Sequence, residues 1–311
     1  MKELIRLQTE VATGRFTLPV VILVCLLLWG MSFEEWSDWA SFGIITLVGY
    51  LLIETNTTFT LIRTRTTLPV CIYWFLTTSL LFLHSFGWEN WIPLAFILSI
   101  FNLFKSYESF HATTAIFHTF FFISIGSLIF PPMIYLVPIF FSGMIPFRSL
   151  NTKSFWASLM GILTPFWFLF GYAFYTDQMN LFMTPLKKMI QFSPIDFGHI
   201  PLNEGVSWGI VSLSLIISSI HYWQVAYTDK TRTRIFFFFL SIIGLCITLF
   251  GVLQPSHYRV WIQLQLIPTA YLMGHLFTLT RNKFSGIFFF VTFIVYISLL
   301  LLNLWTLFFN L

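Results

Sequence analysis

The sequence predicts an all-α, polytopic transmembrane helix bundle of about 11 spans with its N-terminus in the cytoplasm. Three observations carry this prediction: the shortage of charge, the length of the apolar runs and the uneven placement of Lys and Arg. Of 311 residues, 57% are hydrophobic and only 9% charged, against about 25% charged in an ordinary soluble domain. The apolar residues fall into runs of about 15–25, long enough at 1.5 Å per residue to cross a hydrocarbon layer of about 30 Å. With the N-terminus inside, Lys2, Arg6, Arg15, Arg63, Arg65, Lys105, Arg148, Lys153, Lys230, Arg232, Arg234, Arg281 and Lys283 fall on the cytoplasmic side, leaving Lys187, Lys188 and Arg259 outside. Cytoplasmic connections carry this excess in membrane proteins.

In chain order the spans are expected at 17–31, 39–54, 68–87, 91–105, 112–130, 133–147, 154–175, 206–222, 235–254, 260–280 and 285–308. The first run has no small-residue cleavage site behind it and reads as a retained span rather than a secretory signal. The run at 133–147 is short and follows Pro131-Pro132, so it reads as a span or as half of a re-entrant hairpin. Trp36, Trp39, Trp88, Trp91, Tyr175, Trp208 and Trp261 fall at expected external ends, where amphipathic rings are comfortable. The Phe clusters at 236–239 and 288–290 read as lipid-facing bulk, and Gly126, Gly143, Gly161, Gly171, Gly244 and Gly251 as close helix contacts. Cys25, Cys71 and Cys246 sit in apolar runs with no metal-ligand spacing, so three buried thiols are expected. The whole chain, 1–311, reads as a single integral membrane domain.

The one sizeable connection outside the membrane runs from about 176 to 205. Met179, Phe182, Met183, Leu186, Met189 and Ile190 recur at helical spacing around Lys187 and Lys188, as in an amphipathic helix lying on a membrane surface. Pro194 and Pro201 then break the chain.

No phosphate-binding loop, dinucleotide fingerprint, zinc-protease motif or nucleophile elbow is present. The candidate chemistry is a set of ionisable groups at the external face. Glu34, Glu35 and Asp38 follow the first span; adjacent carboxylates can serve as a catalytic base or hold a divalent cation, and equally satisfy a charge rule for external loops. Lys187, Lys188, His199, His257 and Arg259 are the external basic and imidazole groups, suited to a phosphate or pyrophosphate head group or to snorkelling onto lipid phosphates. Within the membrane, His111, Thr114 and His118 form a polar stripe, and Gln263, Gln265 and His275 add polarity to the tenth span. Such residues glue helices together or relay protons. The basic residues are scattered between spans, so no nucleic-acid partner is expected.

The stretch Asn56 to Pro69 (NTTFTLIRTRTTLP) and the stretch Phe117 to Tyr135 resemble an uncharacterised family of multi-pass inner-membrane proteins from anaerobic Gram-negative bacteria. More distantly the layout looks like polyprenyl-phosphate-sugar-dependent glycosyltransferases, in which a diacid follows the first span on the external face, at the place of Glu34-Glu35 in this chain. Those enzymes have a long first external loop, whereas this one runs only from 32 to 38. Lipid-linked glycan polymerases are nearer in shape, since they gather basic and imidazole groups on a late external loop, as His199, Lys187 and Lys188 are gathered. The resemblance implies a bacterial inner-membrane protein acting on a polyprenyl- or lipid-linked saccharide at the periplasmic face. The residues alone leave two other readings open, a transporter or flippase and an assembly subunit bound to a membrane-protein partner.

Overall fold

The structure is a computed structural model and describes residues 2–31, 36–109, 111–191 and 194–309. It is 83% helix, without strands among the described residues. Among the described residues thirteen α-helices follow in order: α1 Lys2–Thr13, α2 Thr17–Met31, α3 Asp38–Phe59, α4 Leu68–Ser79, α5 Ile92–Lys105, α6 Ala112–Ile129, α7 Val137–Met144, α8 Thr152–Tyr175, α9 Met179–Ile190, α10 Leu202–Val225, α11 Thr231–Leu253, α12 Tyr258–Leu279 and α13 Lys283–Phe309. They pack as two compact units, one of residues 1–87 with 195–311 and one of residues 88–194.

Among the described residues six helices are long and apolar enough to cross a membrane: α3, α6, α8, α10 with the turn that follows it, α11 and α13. A seventh crossing is made if α1 and α2, bent by 80° at their junction, count as one broken span. The other four expected spans each fall short of a crossing in length or in hydropathy. The run 68–87 is helical only to Ser79, about 18 Å of rise, before a 3-10 turn at Leu81–Leu83. The run 91–105 is the 14-residue α5. At 133–147 a 3-10 turn, Pro131–Leu136, precedes the eight residues of α7, because Pro131, Pro132 and Pro138 supply no amide hydrogens to continue a ladder. The run 260–280 is the continuous α12, too polar to pass on hydropathy.

The first unit has two buried helices at its centre. Eleven of the twelve residues of α4 are buried, and in α12 all but Arg259 and Leu279. Gly274 lets them meet: a Cβ there would stand 2.6 Å from Cγ of Pro69. Around this pair lie α2, α3, α10, α11 and α13, whose outward faces are apolar and exposed. On α13 the buried positions Thr292, Tyr296, Leu299 and Asn303 recur at helical spacing, while Val291, Ile294, Leu301 and Trp305 are exposed. Contacts order the ends of the unit. At one end Gln8 of α1 donates to the Phe277 and Thr280 carbonyls at the close of α12, Thr66 donates to the Ala12 carbonyl, and Arg232 lies over the Phe59 ring. At the other, Asn303 of α13 donates to the Ser79 carbonyl and to Ser207 of α10. The helix α1 was not expected; it closes the first end as a cap.

In the second unit α6 and α8 are in close contact, since a Cβ at Gly161 would stand 2.6 Å from the Phe117 carbonyl oxygen, and Ser124 donates to the Ile162 carbonyl. Asn151 caps α8 through the Ser154 amide at 2.8 Å. The expected amphipathic helix is present as α9. Phe182, Leu186 and Met189 are its half-buried face, Phe182 meets Phe170, and the Tyr135 hydroxyl donates to the Met189 carbonyl. The stripe of His111, Thr114 and His118 lies on the exposed side of α6 and glues no helix of this unit.

Candidate functional site

The most polar interior lies between α10 and α12. These helices run parallel: Arg259 and Gln265 of α12 bond Glu204 and Ser212 of α10, and the His275 ring packs on that of Tyr222, at offsets of 53–55 residues. At the first step Arg259 engages Glu204 through two hydrogen bonds, Nη2 to Oε1 at 2.7 Å and Nε to Oε2 at 2.9 Å, and the Tyr258 hydroxyl donates to the same carboxylate. Glu204 is 5% exposed, and the fork with Tyr258 supplies hydrogen bonds to both of its buried carboxylate oxygens. In the middle, Gln265 is fully buried and donates from Nε2 to Ser212 of α10 and Thr248 of α11, at 3.1 and 2.9 Å.

At the far step His275 Nε2 lies 2.8 Å from Asp229 Oδ2, with both side chains 3% exposed or less. The His275 ring packs against Tyr222 and Phe237 at centroid distances of 4.9 and 4.7 Å. His221, the neighbour of Tyr222, has Nε2 3.2 Å from Thr280 Oγ1. Nδ1 of both histidines and the Tyr222 hydroxyl have no protein partner. Two pairs of ionisable residues thus stand at opposite ends of one helix pair, the first with Arg259 half exposed and the second enclosed, about 24 Å apart by the rise of the 16 residues from 259 to 275. Such an arrangement can pass protons or a polar solute along the helix axis, and it can equally lock three helices together.

The expected external site residues are distributed differently. Glu34 and Glu35 lie outside the described residues. Asp38 is buried; its Oδ1 accepts from the Phe86 amide at 3.2 Å and its carbonyl from the Trp29 indole, so it ties the start of α3 to the segment after α4. Arg259 is committed to Glu204, with its guanidinium also 5.7 Å from the Phe82 ring. His199 and His257 are exposed beside it, His199 with Nε2 3.3 Å from the Pro255 carbonyl. Lys187 and Lys188 are exposed in the last turn of α9, in the other unit. The structure therefore brings His199, His257 and Arg259 together. Among the described residues no group of three or more His, Cys, Asp or Glu could hold a metal ion.

Trp208 and Trp261, expected at the interface, are buried at 8% and 0% exposure. Sequence reasoning missed Glu204, Asp229, His221 and Tyr222. The available signal was Glu204, an acid just inside an apolar run, and Asp229, an acid among cytoplasmic-type basic residues.

Comparison with family models, with curated proteins and with solved structures returns no match.

Proposed function

We propose that the chain is a multi-pass carrier of a bacterial inner membrane, in which a proton or polar group moves along the α10–α12 pair. The observation that supports this reading is the line of polar residues on a helix otherwise enclosed by protein: Arg259 and Gln265 on α12 bonded to Glu204 and Ser212 on α10, and the His275 ring packed on that of Tyr222. Ionisable groups inside a membrane mark pathways more often than packing needs them. In this reading α12 crosses the bilayer beside α10, and its polarity reflects protein rather than lipid surroundings.

The same reading sets the orientation. Ten Lys and Arg of the first unit (Lys2, Arg6, Arg15, Arg63, Arg65, Lys230, Arg232, Arg234, Arg281 and Lys283) belong to the end closed by α1, and Arg259 alone belongs to the other. By the positive-inside bias this supports a cytoplasmic α1 end. Transfer of a lipid-linked saccharide would draw on Glu34, Glu35 and Asp38 for a base or cation site and on Lys187, Lys188, His199, His257 and Arg259 for phosphate; of these, the Asp38 and Arg259 side chains are engaged by the protein itself.

Thiol accessibility tests the carrier reading without knowledge of the solute. In a chain with Cys25, Cys71 and Cys246 replaced by Ala, cysteines placed at Gln265 and Thr269 are expected to react with a membrane-impermeant maleimide from at least one side of the membrane. A control cysteine at Leu264, also fully buried on α12, should stay unreactive. Protection of all three positions from both sides sinks the carrier and returns the polar line to a packing role in an assembly subunit.

A further inference from the structure

The enclosed pair of His275 and Asp229 does not balance its charge in every protonation state. Nε2 of His275 stands 2.8 Å from Asp229 Oδ2, so a neutral imidazole beside an ionised carboxylate carries its proton on Nε2 and donates it there. That leaves the Nδ1 lone pair with no protein donor, and the pair with one net negative charge at 3% exposure or less. An uncompensated charge in such surroundings is costly, and one added proton cancels it. The proton forms an N–H bond at Nδ1, and no bond within the protein breaks.

Among the described residues the ionisable groups around His275 are His221 and Tyr222 of α10, Asp229 of the connection after α10, and Arg234 of α11, whose charge reaches Tyr222. Arg232, also at the start of α11, is turned onto the rings of Phe59 and Phe236 at 5.6 and 5.4 Å. The helices α1 and α4 meet this end of α12 through the uncharged Gln8 and Pro69. His221 is half-buried, and its Nδ1, like the hydroxyls of Tyr222 and Thr278, has no protein partner. The charge of His275 acts on His221, so a proton on one ring disfavours a second on the other. A polar solute would have to part the packing of His275 on Tyr222 and Phe237. A proton needs only hydrogen bonds and single water molecules, and the part-exposed His221 gives it a way in from the end closed by α1.

We infer that His275, with Asp229 as its fixed counter-charge, is a proton-binding site, loaded from the α1 end by way of His221. The ion that the carrier moves is then a proton. That second statement rests on the carrier reading; binding of the proton at His275 does not.

The test uses the full chain in nanodiscs with isotope-labelled histidine, followed by nitrogen magnetic resonance from about pH 8 to about pH 5. The His275 ring is assigned by its contacts with the Tyr222 and Phe237 rings, so no variant is needed to find it. Its Nδ1 is expected to pass from a bare imidazole nitrogen to an imidazolium N–H, while Nε2 stays protonated throughout. Asp229→Asn keeps the shape of the partner without its charge, and should lower the ratio of imidazolium to imidazole at a given pH at least about ten-fold. His221→Gln should leave that ratio undiminished. An Nδ1 signal unchanged across the range, a proton found on Asp229 with Nε2 bare, or a ratio indifferent to Asp229→Asn would each overturn the proposal; the native titration decides the point even where Asp229→Asn fails to fold. In proteoliposomes the native chain should dissipate a pH gradient at least about ten-fold faster than His275→Gln, as removal of a relay group predicts. Equal rates with the Nδ1 conversion intact would leave the proton site standing and sink the carrier alone.

Discussion

The helices α12 and α13 are consecutive and of similar length, yet they live in different solvents. Apart from Arg259 and Leu279 every residue of α12 is buried, whereas α13 shows lipid a broad face of Ile287, Val291, Ile294 and Leu301. The apolar helix is the exposed one. In water the reverse would hold, but lipid tails are as apolar as leucine, so in a bilayer apolarity measures contact with lipid and polarity becomes affordable only inside the protein. Hydropathy therefore ranks α13 as a crossing and passes over α12, although α10 and α11 accompany α12 from end to end.

The largest effect that would sharpen this contrast is at Glu204. Arg259→Met leaves a carboxylate that is 5% exposed without its fork; Arg259 is itself about half exposed, and a buried charged acceptor left without its partner costs about 3 kcal/mol. The expected outcome is a large fall in the thermal midpoint in detergent, with partial recovery in the Glu204→Gln, Arg259→Met double variant. A midpoint unchanged by the single substitution would mean that this end of α12 is wet, and would break the comparison.

A second prediction uses pH. His84, 2% exposed and stacked on Trp29 at 3.6 Å, lies beyond the end of α4. Burial holds its imidazole down to about 4, against the opposing pull of the Thr78 and Thr77 carbonyls and of Asp38. The sign follows from which state binds the proton. Between pH 6.5 and 4 the unfolded chain takes it up while the folded chain does not, so stability falls through that window, by up to about 3 kcal/mol, and is fully present above it. Thermal midpoints recorded from pH 7 to 4.5 should fall more steeply in the native chain than in His84→Gln. Parallel curves would show that the site is hydrated.

The contact between the two buried helices gives a smaller effect. Gly274→Ala puts a methyl 2.6 Å from the ring of Pro69 at the start of α4, where neither backbone yields easily. Overpacking of this kind costs about 1–3 kcal/mol, and the purified variant should unfold correspondingly earlier in a thermal scan. Gly209→Ala, on open space, serves as the neutral control.

The apolar runs made most of the helices legible, because lipid-facing residues such as those of α11 and α13 admit little else. The amphipathic α9 was legible for a related reason, since Phe182, Leu186 and Met189 repeat along one face. What stayed hidden depends on three-dimensional register. Nothing in the local sequence says that Glu204 stands beside Arg259, 55 residues on, or Asp229 beside His275, 46 residues on. Arg259 was singled out as an external cation, and the carboxylate that occupies it was not. The break at Ser79 was hidden because hydropathy is blind to whether a run keeps one helical axis, whereas Pro131-Pro132 signalled the break before α7. Trp208 and Trp261 were misread because an indole near a span end suits an interface as well as it suits a packed groove.

The smallest predicted effect lies on α13 and bears most directly on the comparison. Val291 is about half exposed, on the face turned to lipid, while Ile267 of α12 is fully buried among neighbouring helices. Trimming Ile267 to Ala removes packed atoms and leaves a cavity, which costs about 2–5 kcal/mol in a close-packed interior. Trimming Val291 to Ala removes atoms whose neighbours are acyl chains, and those flow into the space, so neither a cavity nor exposed apolar surface results. The Val291→Ala midpoint should stay within the range of a surface substitution, about 0.5 kcal/mol either way, when both variants are unfolded in the same detergent. Equal losses at the two positions would mean that the outer face of α13 is covered by protein, with a partner subunit rather than lipid packed against Val291.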